Sequence, residues 1–181
     1  MTVFNNSEGG VADEDQLKIM FVGRSRAGKT TLCQYLNHMD LEYHKTQTVQ
    51  IFNNNMIDTP GEYLERRYFR APLVVTANDA DVLIFVQPAN EKITFFSPGY
   101  NSNFPKPCIG VVTKADLADE KQRENAVKYL EMAGARPIFV TSAYEGTGIK
   151  EFLDYLEELQ IEKIEKNRLK KEKGKMQNGK D

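Results

Sequence analysis

Gly23-Arg24-Ser25-Arg26-Ala27-Gly28-Lys29-Thr30 is the stretch on which the fold turns. It satisfies the pattern G-x-x-x-x-G-K-[ST], and its context gives it meaning: an apolar run at 17–22 precedes it and a helical stretch at 29–37 follows. Glycine lets a backbone wrap closely around phosphate groups, so that successive N–H groups and the helix N-terminus point at negative charge. Lys29 is then expected to reach the outer two phosphates of a nucleotide. The Thr30 hydroxyl is expected to ligate Mg²⁺, and Thr31 joins the binding set.

Three further motifs follow in order. Asp58-Thr59-Pro60-Gly61 closes a short apolar run, and a carboxylate at a strand end there can hold Mg²⁺ through water. Gly61 leaves its N–H open to a terminal phosphate and lets the loop turn when that phosphate departs. Thr113-Lys114-Ala115-Asp116 matches [NT]-K-x-D. An Asp116 carboxylate accepts bonds from the ring N–H and exocyclic amine of guanine. Adenine offers neither in that arrangement and would leave the carboxylate unpaired. The Lys114 stem is suited to lie over the flat base. Ser142-Ala143 falls where a backbone N–H is needed for the guanine O6. Together the four elements specify GTP or GDP with Mg²⁺.

Working outward, short apolar runs at 17–22, 49–52, 56–57, 82–86, 109–112 and 137–140 alternate with helical stretches at 29–37, 120–133 and 148–159. That alternation predicts an α/β domain with a mostly parallel sheet. Asn53-Asn54-Asn55 reads as a tight hairpin turn, which would set one strand antiparallel. In the last helix Ile149, Phe152, Leu153, Leu156 and Leu159 recur at three and four residues, a core-facing stripe. Residues 88–107, rich in Pro, Gly, Asn and aromatics, predict a loop-heavy connection. The domain is expected over 17–160. Residues 1–16 read as an acidic, disordered lead, and 161–181 as a charged helix extension with a disordered end.

Composition narrows the partners. A formal net charge of −2 across 181 residues gives no reason to expect nucleic acid or an anionic membrane. No apolar run is long enough to span a bilayer, and a cytoplasmic setting is expected. Cys33 and Cys108 lie far apart, outside any metal or disulfide spacing, and read as buried apolar residues. His38 and His44 show no metal spacing either.

Ala-Gly-Lys-Thr-Thr-Leu at 27–32, Lys-Thr-Gln at 45–47, Ile-Asp-Thr-Pro-Gly-Glu-Tyr at 57–63 and Thr-Lys-Ala-Asp at 113–116 give the chain a family likeness. It resembles the translation-factor side of the small GTPases and, more closely, the EutP/PduV family of ethanolamine and propanediol utilisation. The resemblance spans 17–159. It implies a Ras-like P-loop NTPase with a doubly wound, mostly parallel six-stranded sheet carrying one antiparallel strand. It also implies association with bacterial microcompartments that process short aldehydes, and acetate kinase chemistry has been attributed to members alongside GTP binding.

By position Thr46 would be the switch threonine that closes on Mg²⁺ and the γ-phosphate, with Thr48 as the alternative; the lesser reading of residues 45–48 is the lead-in to a strand. Two departures bear on rate. Glu62 stands where Ras-like enzymes orient water with glutamine, and its charge predicts slow turnover. Arg26 lies inside the phosphate loop, where a guanidinium could steady a transferring phosphate or simply face solvent. Arg66, Arg67, Tyr63, Tyr68 and Phe69 are candidate contacts for a protein effector or microcompartment component. The expected function is a slow GTPase switch. The alternatives are an acetate-directed phosphotransferase and a nucleotide-holding module that does not turn over.

Overall fold

The computed structural model describes residues 13–36, 50–52, 55–65 and 70–178. Strand β1 (Ile19–Val22) is apolar at every position because both of its faces are covered. Ile19 and Phe21 point to one layer, and Met20 and Val22 to the other. A strand buried on both sides is the mark of a sheet sandwiched between helices.

The sheet runs in the order β2-β3-β1-β4-β5-β6. Its strands are β2 (Gln50–Phe52), β3 (Met56–Asp58), β4 (Val82–Pro88), β5 (Cys108–Thr113) and β6 (Ile138–Val140), with β1 near the middle. Strands β3, β1, β4, β5 and β6 are parallel, and β2 pairs antiparallel with β3 in the register Phe52↔Met56. Of the Asn-rich turn expected between them, Asn53 and Asn54 lie outside the described residues; Asn55 is buried, and its carbonyl accepts from the Ile19 N–H at 2.7 Å.

Two helical layers flank the sheet. On one side α1 (Lys29–Leu36) and α5 (Ile149–Asn178) bury Leu32, Cys33, Leu36, Ile149, Phe152 and Leu156 against Phe21, Ile84 and Ile109. On the other, α3 (Arg70–Ala77) and α4 (Glu120–Met132) bury Leu73, Ala77, Ala126 and Leu130 against Met20, Leu83 and Phe85. The short α2 (Glu62–Glu65) follows β3 and anchors through Leu64. Helix α4 begins at a capping box: the Gln122 N–H donates to Asp119 Oδ1 at 2.8 Å, and the Asp119 N–H donates to Gln122 Oε1 at 2.8 Å.

The segment after β4 contains no α-helix; it carries one 3-10 turn, Tyr100–Asn103. Its aromatics supply the packing a helix would have given. Phe96 stacks on Phe85 with centroids 4.9 Å apart, and Tyr100 and Phe104 meet Phe85 edge-on at 5.5 and 6.0 Å. The Gly99 and Asn101 N–H groups tie the loop to the end of α4 at Met132 O and Ala133 O.

Residues 13–16 are ordered, although composition predicts a disordered lead there. Asp13–Asp15 form a 3-10 turn, and the segment docks on α5. Gln160, buried, accepts from the Leu17 N–H at 2.7 Å and donates to Asp15 O at 2.6 Å. Lys163, Asn167 and Lys171 reach Gln16 O, Asp15 Oδ1 and Glu14 Oε1 at 2.6, 2.9 and 2.6 Å. Those bonds, with the ion pairs Lys166–Glu162 and Arg168–Glu172, lie along the helix extension expected after residue 160, which runs to Asn178. The rest of the acidic lead, 1–12, and residues 179–181 lie outside the described residues.

Candidate functional site

The chain turns at the carboxyl end of β1, beside the crevice where the strand order reverses between β1 and β4. Gly23 fits there because a Cβ would come 2.6 Å from the Val86 carbonyl of β4. The loop then curls through left-handed backbone at Arg26 (φ 62) and Gly28 (φ 96) into α1. Arg26 accepts that conformation although it has a Cβ, and its side chain is exposed.

Lys29 is 6% exposed and lies back across the loop, donating to Gly23 O at 2.8 Å and Arg24 O at 3.0 Å. Burial lowers its pKa, opposed by the nearby charges of Asp58 and Glu65. Thr30 Oγ1 donates to Asp58 Oδ2 at 2.6 Å. The Asp58 loop is pinned to β1 by Thr59, whose hydroxyl donates to Phe21 O at 2.6 Å. Gly61 backs directly onto the phosphate loop, where a Cβ would run into the Ser25 nitrogen and the Arg24 carbonyl carbon. The Ser25 N–H donates to Glu65 Oε1 at 2.8 Å. Arg24 pairs with Glu91 at 2.9 Å and lies over the Phe95 ring at 5.2 Å.

The other half of the site is built from the ends of β5 and β6. Thr113 Oγ1 donates to Ala27 O at 2.6 Å, and Lys114 Nζ donates to Arg26 O at 2.7 Å, so this motif holds the phosphate loop from behind. Lys114 reaches over because its own backbone is left-handed (φ 57). Asp116 sits in the 3-10 turn Ala115–Leu117, and its Oδ1 accepts from Ser142 Oγ at 2.6 Å. Ser142 Oγ also accepts from the Glu145 N–H at 3.1 Å, which fixes the rotamer that orients the carboxylate. The Ser142 N–H is taken by Thr147 O at 2.9 Å, and Ala143 beside it lines the cleft.

A cavity of about 350 Å³ runs between the two halves, lined by Gly28, Thr31, Asp116, Leu117, Ala143 and Tyr144 among others. Leu117 and Tyr144 are 62% and 89% exposed at its rim, apolar surface of the kind a planar base covers.

Residues 23–31, Asp58, Gly61 and Glu62 thus gather at one end of the cleft, and Thr113, Lys114, Asp116, Ser142 and Ala143 at the other. Glu62 opens α2 and is half-buried. Thr46 and Thr48 lie outside the described residues, as do Arg66, Arg67, Tyr68, Phe69, His38 and His44. Sequence reasoning missed Glu65, Glu91, Leu117 and Tyr144. Glu65 carried a readable signal, an acid one helical turn past Gly61. Glu91 carried none, because its pairing depends on how the loop after β4 folds back.

The donors fit Mg²⁺. Thr30 and Asp58 offer one hydroxyl and one carboxylate as hard oxygen ligands, and Mg²⁺ takes one or two such groups and fills its shell with phosphate and water. Among the described residues no cluster of three or more His, Cys, Asp or Glu forms an all-protein cage.

The family model described as ethanolamine utilisation – propanediol utilisation matches residues 16–158. The propanediol utilization protein PduV of Citrobacter freundii is 41% identical over 77% of this chain and 92% of its own. A protein of Salmonella typhimurium named "Probable acetate kinase EutP" is 33% identical over 77% of this chain and 88% of its own. Among solved structures, translation elongation factor SelB of Methanococcus maripaludis, in complex with the GTP analogue GppNHp, superposes with a TM-score of 0.58 at 20% identity. That match covers 78% of this chain and 33% of SelB, so the chain spans about a third of that protein and shares the fold of that part.

Proposed function

Because the chain belongs to the PduV-EutP family of ethanolamine and propanediol utilisation, we propose that it is a guanine-nucleotide switch that binds GTP with Mg²⁺ and hydrolyses it slowly. The observation that carries this reading is the Asp116 carboxylate, oriented by Ser142 at 2.6 Å and facing a cavity that runs back to Gly28 of the phosphate loop. That pairing suits guanine, whose N1–H and 2-amine both donate, and leaves an adenine donor short. Ala143 supplies an N–H to the O6, while Leu117 and Lys114 flank the ring.

At the phosphate end the N–H groups of residues 26–30 cradle the inner phosphates, and Lys29 swings from Gly23 O and Arg24 O to the outer pair. Thr30 and Asp58 would hold Mg²⁺, with Thr46 the candidate to join them in the triphosphate state. Mg²⁺, when bound, neutralises charge on the phosphates. In the reaction water forms a bond to Pγ as the bond from Pγ to the β-bridging oxygen breaks, releasing GDP and phosphate. Glu62, a carboxylate where a neutral amide would orient the water, keeps this slow. Arg26, exposed within the loop, is the candidate to steady the leaving charge once an effector orders it. The family's link to ethanolamine and propanediol utilisation supports an effector in that setting, such as a microcompartment component.

A second reading has one observation in its favour, the name of the relative called a probable acetate kinase. In that reaction an acetate oxygen attacks Pγ and acetyl phosphate leaves with GDP or ADP. Turnover of GTP and ATP, each with and without acetate, separates the two. Slow GTP hydrolysis indifferent to acetate is expected. Acetyl phosphate formed in step with nucleotide consumption would overturn the switch.

A further inference from the structure

A carboxylate from the chain itself is bonded to a backbone N–H of the phosphate loop. The Ser25 N–H, on the outer wall of that loop, donates to Glu65 Oε1 at 2.8 Å. Gly61 abuts the same nitrogen so closely that no Cβ would fit. Glu65 is also one of the charges that raise the pKa of Lys29 against its burial. A loop N–H, the buried lysine and the glycine of the Asp58 loop are the groups that surround the terminal phosphate of a bound triphosphate. The inner phosphates belong further in, at the N–H groups that open α1.

The placement of Glu65 is built rather than incidental. Leu64 and Glu65 both return their N–H groups to Gly61 O, at 3.1 and 3.3 Å, which winds α2 as a tight turn. Leu64, 8% exposed, fastens that turn into the core. The side chain of Glu65 is thereby aimed back along the loop at Ser25.

We propose that Glu65 is a specificity-determining residue that occupies the position of the terminal phosphate whenever that phosphate is absent. This rests on the guanine-nucleotide reading above. A diphosphate leaves the Ser25–Glu65 bond in place. A triphosphate must displace the carboxylate and α2 with it, so the site favours GDP over GTP, and the displaced α2 is what reports the bound state.

Equilibrium binding of fluorescent GDP and fluorescent GppNHp, with Mg²⁺, to the full chain and its Glu65→Ala and Glu65→Gln variants tests this. Glu65→Ala is expected to tighten GppNHp relative to GDP on the order of tenfold, the size of a lost charge-assisted hydrogen bond that competed with the ligand. Glu65→Gln keeps the shape and loses the charge, and is expected to shift the ratio the same way by less. An unchanged ratio in both variants, with both nucleotides still bound, overturns the proposal and leaves the guanine reading standing. No binding of either nucleotide to the wild type removes that reading and this one with it. The amide resonance of Ser25 in the wild type needs no variant: it is expected to hold on adding GDP and move on adding GppNHp. A full shift on GDP alone contradicts the inference.

Discussion

Asp116 carries the largest share of the functional account at the level of single residues, and its environment says how it should respond to change. Its Oδ1 accepts from Ser142 Oγ, so an asparagine could keep that bond through its carbonyl and turn its amide nitrogen toward the base. An amide nitrogen repels the guanine amine and suits the 2-carbonyl of xanthine. Asp116→Asn is therefore expected to weaken GDP by about a hundredfold, the cost of one or two charged hydrogen bonds, and to gain xanthosine diphosphate. Competition binding checks both halves. The cysteines make a contrasting case. Burial raises the thiol pKa of Cys33 well above its ordinary value and that of Cys108 to about 12. Raised values hold both thiols protonated and unreactive through neutral and mildly alkaline pH. A thiol reagent at pH 8 is expected to label neither in the folded protein within minutes and both after denaturation. That Gly23, Lys29 and Asp116 would gather in one cleft was legible in the sequence, because each motif fixes a backbone shape or a charge at a set distance. For Glu65 only the spacing from Gly61 was legible, because its partner is a backbone N–H forty residues away that no pattern encodes.

Among the elements, the loop between β4 and β5 is the one whose behaviour departs most from what sequence periodicity could say. Its composition predicted a loop, and a loop is present, yet it buries Phe96, Tyr100 and Phe104 as firmly as a helix would. The sequence showed the aromatics but could not show that all three converge on Phe85, because that depends on the path of irregular backbone. Phe96→Ala is expected to cost about 3–5 kcal/mol of unfolding free energy, read from urea titration. A cost under 1 kcal/mol would mean the stack is not part of the core. The same loop brings Glu91 and Phe95 to Arg24, so its loss should also loosen the phosphate loop. Helix α5 departs in the other direction. Its apolar stripe ends at Leu159, and nothing in the charged text beyond marks a partner. Docking of residues 13–16 along Gln160, Lys163 and Asn167 extends it. Such pairing joins chain segments about 145 residues apart, and local pattern is blind to it.

For the whole molecule, the doubly wound sheet explains why four short motifs scattered over 120 residues make one site. Each sits at the carboxyl end of a parallel strand, β1, β3, β5 or β6, and the sheet order brings those ends to one edge. Alternating apolar runs with a phosphate loop after the first made that architecture readable, because parallel strands buried on both faces leave few other arrangements. A ligand that binds the assembled edge and not the unfolded chain must stabilise the whole. At a hundred times its Kd, GDP with Mg²⁺ contributes about 2.7 kcal/mol. Melting should rise by roughly 5–10 °C with GDP and stay unchanged with ADP.

Selection of guanine by this cleft is what makes the chain a guanine-nucleotide switch. Equilibrium titration of the purified chain with fluorescent GDP and fluorescent ADP, in excess Mg²⁺, tests it most directly. Saturable GDP binding, with ADP weaker by about a hundredfold or more, is the predicted result. Equal affinity for the two, or ADP held more tightly, would contradict it and move the molecule from a guanine-nucleotide switch toward a phosphotransferase.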